Sequence, residues 1–242
     1  MANPATDEVE VVVVGGGFCG VALAAALRHF GVSFALLEAG PEAGAGFASH
    51  YDRLRLHTPR HRLPHDGDLE TRGNYPLYKS KSDLVRYLND YCALHGLRRG
   101  VELHYETPVA TVARSPPRDG WPSGWAVTTE GGRTYYAKAV ALCTGAARVP
   151  HVPSFASAEQ PGTSAFLQRG GEVVHSRHYT NGARFVGKDV AVVGSGNSAA
   201  EICVDLVEHG ASSVTMVVTG PRHFLDLRKL SWVHRIEQAL TE

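Results

Sequence analysis

An excess of charge of either sign is the first thing this sequence lacks. Lysines and arginines number 24, as do aspartates and glutamates, so the formal net charge is zero. The composition therefore gives no support to a basic face for nucleic acid or for an anionic membrane surface, and partners must be sought at individual sites. Cysteine is scarce too. Cys19, Cys92, Cys143 and Cys203 lie far apart, form no CxxC pair and sit in apolar stretches, where thiols usually behave as small hydrophobes. That pattern fits a reducing, intracellular setting. No apolar run reaches the length needed to span a bilayer. The opening MANPATDEVE has acids where a secretory leader would need a basic region and an apolar core, so a cytoplasmic protein without a membrane span is expected. No Ser/His/Asp or Cys/His spacing suggests a side-chain nucleophile, and no residue is assigned a catalytic role.

What the sequence does have is a short β-branched run, Val11 to Val14, leading straight into a glycine cluster and a helix-like stretch, Val21 to Phe30. The run has the composition and length of a fully buried parallel strand. Gly15, Gly17 and Gly20 stand in GxGxxG order at this junction. The first permits a tight turn, the second lets the backbone approach a pyrophosphate, and the third lets helix and strand pack without a side chain between them. The helix start offers unpaired backbone N–H groups to phosphates, and Gly16 and Phe18 join the candidate set there. A second strand, Ser33 to Leu37, ends at Glu38, about 20 residues after the glycines, where an acid accepts hydrogen bonds from a ribose. A carboxylate at that place repels a 2′-phosphate, so the site suits the plain ribose of FAD or NAD.

The chain then turns irregular. His57, His61 and His65 recur every fourth residue, with Asp66 and Asp68 nearby, a spacing that on a helix would align metal ligands. Pro59 and Pro64 interrupt any such helix, so a polar loop is expected and no metal site. Ser82 to Leu94 predicts an amphipathic helix capped by Ser82 and stopped at Gly96. Val101 to Tyr105 alternates like a strand, and Thr111 to Ala113, Trp125 to Thr129 and Thr134 to Ala141 predict an antiparallel meander. A small-residue turn, Thr144 and Gly145, ends the last strand, and Gly145 is counted among the cofactor-binding residues. The Pro-rich VPHVPSF that follows reads as a linker, dividing a domain over residues 1–150 from one over 151–242.

The second half repeats the opening. Asp189 to Val193 is another buried-strand pattern and enters GSGNSAAEI, with Gly194 and Gly196 in GxGxxA order before an apolar helix, Ala199 to Val207. Ser195, Asn197, Ser198 and Ala199 complete this candidate turn. The next strand, Ser213 to Val218, ends in TGPRHF, without the acid an NAD site would hold; Arg222 stands there instead and suits a 2′-phosphate, pointing to NADPH. The expected fold class is α/β, two Rossmann-like dinucleotide-binding units for FAD and NADPH, with an antiparallel β-meander in the first.

Taken in order, GGGFCG, YDRLRLHTPR, NYPLYKSK, GGEVVHSRHY and GSGNSAAEI resemble the class B flavin-dependent monooxygenases, and within them the YUCCA-type branch that in plants acts on indole-3-pyruvate. The resemblance runs from about Val9 to about Arg222. The family fingerprint FxGxxxHxxxY/F is matched by Gly171, His175 and Tyr179, while Arg169 stands where the family usually has Phe. The resemblance implies that NADPH reduces FAD, and that the reduced flavin uses dioxygen to place one oxygen atom on a small organic substrate, the other leaving as water. It implies no catalytic side chain, and the missing CxxC sets the chain apart from related flavoproteins that reduce disulfides. Family members continue well past the second turn, whereas this sequence stops at Glu242, so the resemblance implies an incomplete NADPH unit. Two other readings stay open: an NADPH oxidase or reductase without oxygen insertion, and a non-catalytic nucleotide-binding fragment.

Overall fold

The computed structural model describes residues 6–60, 74–117, 123–146, 149–221 and 223. The chain forms two compact units, Met1–Ser49 with Arg60–Ala146, and His50–Pro59 with Ala147–Glu242.

The first unit is built on a six-stranded sheet. Strand β1 (Thr6–Val14) is followed by helix α1 (Phe18–His29), β2 (Phe34–Leu37), a single helical turn α2 (Ala45–Ala48), and the longer helix α3 (Lys81–Leu94). Four strands follow, β3 (Leu103–His104), β4 (Val109–Ser115), β5 (Gly124–Thr129) and β6 (Thr134–Leu142). Their order across the sheet is β3-β2-β1-β6-β5-β4. Strand β1 pairs in parallel with β2, Val11–Val14 lying opposite Phe34–Leu37, and in parallel with β6 on its other side. The β4-β5-β6 part is the expected antiparallel meander.

A valine run suits β1 because both of its faces are covered. Val12 and Val14 join Ala35, Leu37, Val127, Tyr135 and Ala137 in one cluster, while Val13 joins Leu36 and the α1 and α3 residues Val21, Ala24, Tyr87 and Leu88 in another. Period-two alternation thus buries Val12, Val13 and Val14 on alternate faces, with Val11 partly buried, which stabilises the strand by roughly 1.5–3 kcal/mol per fully buried side chain.

Helix α3 begins earlier than the sequence pattern suggested. Its cap is Ser80 rather than Ser82: the Ser80 hydroxyl accepts from the Asp83 N–H and the Asp83 carboxylate accepts from the Ser80 N–H, a reciprocal capping box closed to Ser82 because Val85, three residues on from it, has no polar side chain. Gly96 follows its end in the left-handed region at φ +64°. The stretch Val101 to Tyr105 shortens to the two residues of β3, which pair in parallel with β2.

The second unit contains a short helix, α4 (Pro161–Gln168), then β7 (Asp189–Val193), α5 (Asn197–Glu208) and β8 (Ser213–Val217), with β7 and β8 parallel and in register from Asp189 with Ser213 to Val193 with Val217. Its core gathers Tyr51, Tyr179, Phe185, Ile202 and Leu206. Among the described residues, no helix is long and apolar enough to cross a membrane.

Candidate functional site

Each unit carries a strand–turn–helix junction of the same local geometry. In the first, Gly15 sits at φ +107°, a region closed to most side chains, and a Cβ on it would lie 2.5 Å from the Cys143 carbonyl oxygen at the end of β6. Gly20, one turn into α1, would drive a Cβ to 1.9 Å from the Gly15 carbonyl oxygen, so only glycine lets the helix approach the strand this closely. Gly17 is different. It caps α1 in extended backbone, and a Cβ there would meet no protein atom within 4 Å. That is the open space a close-lying phosphate needs, beside the unpaired N–H groups of the helix start.

Glu38 closes this cradle. Its carboxylate accepts from the Gly16 N–H at 2.6 Å and from the Gly40 N–H at 2.8 Å, so it holds the glycine turn in place while keeping lone pairs for a ribose hydroxyl. Phe18 turns its ring into the core, edge-on to Phe47 with centroids 5.5 Å apart, and offers the turn only its backbone. Gly145 follows β6 at φ +79°, two residues beyond the Cys143 carbonyl that Gly15 approaches. The cradle therefore lies at the carboxyl ends of β1, β2 and β6, where the connection from β1 runs to one neighbour and the other neighbour arrives from far along the chain, the usual place for a ligand in such sheets.

The second junction reproduces the backbone. Gly194 sits at φ +126°, Gly196 caps α5 in extended backbone with no atom within 4 Å of its Cβ position, and Ala199 takes the place that Gly20 has in the first. Asn197 and Ser198 open α5, and Ser195 lies in the turn between the two glycines. Arg222 lies outside the described residues, as do His61, His65, Asp66 and Asp68. His57 is paired: its Nε2 lies 2.8 Å from Glu201 Oε1 on α5.

Residues 50–59, read from the sequence as a plain loop, carry the contacts that sequence reasoning missed. This segment straps onto the second unit. The Asp52 N–H donates to the Thr180 carbonyl, the Asp52 carboxylate accepts from Asn181, Arg53 pairs with Glu208, and the Tyr51 hydroxyl donates to Ser198 Oγ at 3.4 Å. The side-chain partners lie 129 to 155 residues apart in sequence, so no local periodicity could mark them. Asp205, on α5, is the second omission. Buried, it accepts from the Tyr179 hydroxyl at 2.6 Å and from the Gly182 N–H at 2.8 Å, tying the segment that carries His175 and Tyr179 to the helix. Burial, with the Asp205 carboxylate beside it, pushes the Tyr179 hydroxyl well above its ordinary range, so it remains a donor. A third is Lys79, fully buried with its ammonium 5.1 Å from the Tyr75 ring centre and 4.9 Å from that of Tyr87, a stabilising arrangement in a dry core.

All four cysteines are free. Burial pushes the Cys92 thiol up to about 11 and raises Cys143 and Cys203 as well, which disfavours the thiolate that disulfide exchange requires.

The chain matches the pyridine nucleotide-disulphide oxidoreductase family over residues 12–239. An indole-3-pyruvate monooxygenase, YUCCA8 of Oryza sativa subsp. indica, is 35% identical over 216 residues, covering 86% of this chain and 48% of that protein. A probable indole-3-pyruvate monooxygenase of Arabidopsis thaliana, YUCCA1, is 34% identical over 217 residues, covering 88% and 48%. The chain thus spans about half the length of the curated relatives it matches. Among solved structures, a flavin monooxygenase from Stenotrophomonas maltophilia superposes with a TM-score of 0.72 at 26% identity, covering 91% of this chain and 60% of that one.

Proposed function

The chain belongs to the pyridine nucleotide-disulphide oxidoreductase family, and from that premise we propose that it is a flavin-dependent monooxygenase of the class B type, using FAD, NADPH and dioxygen on a small organic substrate. The observation that carries this reading is the pair of glycine turns with open space at Gly17 and Gly196, each at the start of a helix whose cap makes no side-chain hydrogen bond. Gly15, Gly16, Gly17 and the start of α1 hold the FAD pyrophosphate, and Glu38 takes the ribose. Gly194, Ser195, Gly196, Asn197, Ser198 and Ala199 hold the NADPH pyrophosphate, with Arg222 on its 2′-phosphate. The domain over residues 1–150 serves FAD and the one over 151–242 serves NADPH, the strap 50–59 belonging with the second.

When bound, the flavin supplies the redox chemistry, accepting a hydride from NADPH and delivering electrons to dioxygen. The protein binds and orients. Backbone N–H groups neutralise phosphate charge, Glu38 selects a ribose without a 2′-phosphate, and the buried Tyr179–Asp205 bond fixes the segment after Gly171. We take the substrate to be indole-3-pyruvate, decarboxylated oxidatively to indole-3-acetate, a reading that rests on the names of the two plant relatives. The test uses purified protein reconstituted with FAD. NADPH oxidation that accelerates with indole-3-pyruvate and yields indole-3-acetate supports the proposal. Hydrogen peroxide as the sole oxygen product replaces it with an NADPH oxidase, and failure to take up FAD removes it altogether.

A further inference from the structure

We propose that Tyr51 is a positioning residue of the second dinucleotide turn, acting through Ser198 to aim the serine hydroxyl at a phosphate oxygen of the bound dinucleotide; the inference rests on reading that turn as the NADPH site. Tyr51 stands almost 150 residues before the turn, in a segment whose flanking chain on both sides belongs to the first unit. Its ring is only 3% exposed and packs with Tyr179, Phe185, Ile202 and Leu206, so the hydroxyl is held where the core places it.

That hydroxyl meets Ser198 Oγ at 3.4 Å, and Ser198 is the second residue of α5, beside the glycine cap Gly196. A serine hydroxyl has one proton and two lone pairs. When Tyr51 donates to one lone pair, the serine proton is left for a different acceptor, and a phosphate oxygen at the helix start is an acceptor of that kind. Ser198 is itself exposed, so a ligand at the helix start can reach its hydroxyl. Tyr51 therefore fixes the direction in which Ser198 donates without touching the ligand.

The environment keeps Tyr51 a donor. Burial is the largest influence; the hydrogen bond with Ser198 pulls the other way, and the Glu201 carboxylate, which attracts the same proton by hydrogen bonding and by its charge, adds to the rise, so that the phenol is pushed up to about 12. Its proton is retained across the physiological range. Glu201, on the same face of α5, is paired with His57 from the strap at 2.8 Å, which secures the segment at a second point. The other charged groups of the strap are Asp52, bonded to Asn181, Arg53, paired with Glu208, and Arg55.

The experiment titrates NADP+ into FAD-loaded protein, following flavin fluorescence, for the wild type, Tyr51→Phe, Ser198→Ala and the double variant. Tyr51→Phe keeps the ring and its packing. The expected result is an NADP+ dissociation constant raised about three- to tenfold by either single change, the size of one hydrogen bond, with no further loss in the double variant. FAD content and thermal midpoint stay at wild-type values. An unchanged constant in Tyr51→Phe, or losses that multiply in the double variant, overturns the proposal. Loss of FAD content or of the thermal midpoint together with NADP+ affinity also overturns it, assigning Tyr51 to the core alone. A wild type that takes up FAD but shows no NADP+ binding rejects the NADPH site itself, before any variant is made.

Discussion

At Gly15 a Cβ would lie 2.5 Å from the Cys143 carbonyl oxygen, whereas the closest atom to a Cβ on Gly194, its counterpart in the second turn, is the Cβ of Ala199, at 4.0 Å. The two turns have a positive φ at the first glycine, the same cap conformation and open space at the second glycine, yet they are supported differently. In the first unit the turn is wedged between β1 and β6, pinned by Glu38, and preceded by valines buried on both faces. In the second, Val193 of β7 is 60% exposed, and the described support comes from the strap and from Asp205. A single backbone solution to a strand–turn–helix glycine junction can thus be held either by tight packing or by polar contacts from a distant segment.

Gly20→Ala gives the largest expected effect. A backbone oxygen stands where the methyl group must go, so helix and strand separate at a cost of about 3 kcal/mol or more, read as a fall in thermal midpoint of about 10 °C. A midpoint unchanged from wild type would mean that the first turn is as loosely packed as the second. Gly17→Ala should separate binding from folding. With no protein atom near the new methyl group and an extended backbone, the midpoint of the apo-protein holds, while FAD affinity falls by more than about tenfold, ~1.4 kcal/mol. Retained affinity would show that the open space is not where the pyrophosphate lies.

The third prediction concerns pH. Tyr51 titrates near 12 in the folded protein against about 10 when unfolded. Between these values the unfolded chain has released a proton that the folded chain keeps, so stability falls as pH rises above 10 and levels off beyond 12. Urea unfolding at pH 9 and pH 11 should show this fall in the wild type and a smaller one in Tyr51→Phe, and equal slopes would contradict the buried phenol. Ala199→Gly is the mildest. Because the second helix already accommodates a methyl group at this position, the change removes little more than the helix preference of alanine, about 1 kcal/mol and a fall of about 3 °C. A loss as large as that of Gly20→Ala would erase the contrast between the two turns.

Much of this architecture was readable from local pattern. The valine run, the two glycine motifs, Glu38 and the meander strands each depend on residues within a few positions of one another, and they occupy the places expected. The pattern marks helix α3 but not its cap, since Ser80 and Ser82 are both of a capping type and only the reciprocal bond with Asp83 distinguishes them. The strap escaped notice because YDRLRLH has the polar, proline-flanked composition of a loop, and Tyr51 looks like any exposed aromatic until Ile202 and Leu206 are brought around it.

Sequence alone determined where the chain must turn sharply, which strands have both faces buried, and where an anion can approach backbone N–H groups, because glycine, β-branched residues and helix starts impose these outcomes within one or two turns of chain. Only the tertiary structure decided that residues 50–59 serve the second unit, that Asp205 receives the Tyr179 hydroxyl, and that Glu38 braces the turn through the Gly16 and Gly40 N–H groups. Those are pairings between distant segments, fixed by the shape of the packed core and by the need to satisfy buried polar groups, and no short stretch of sequence encodes them.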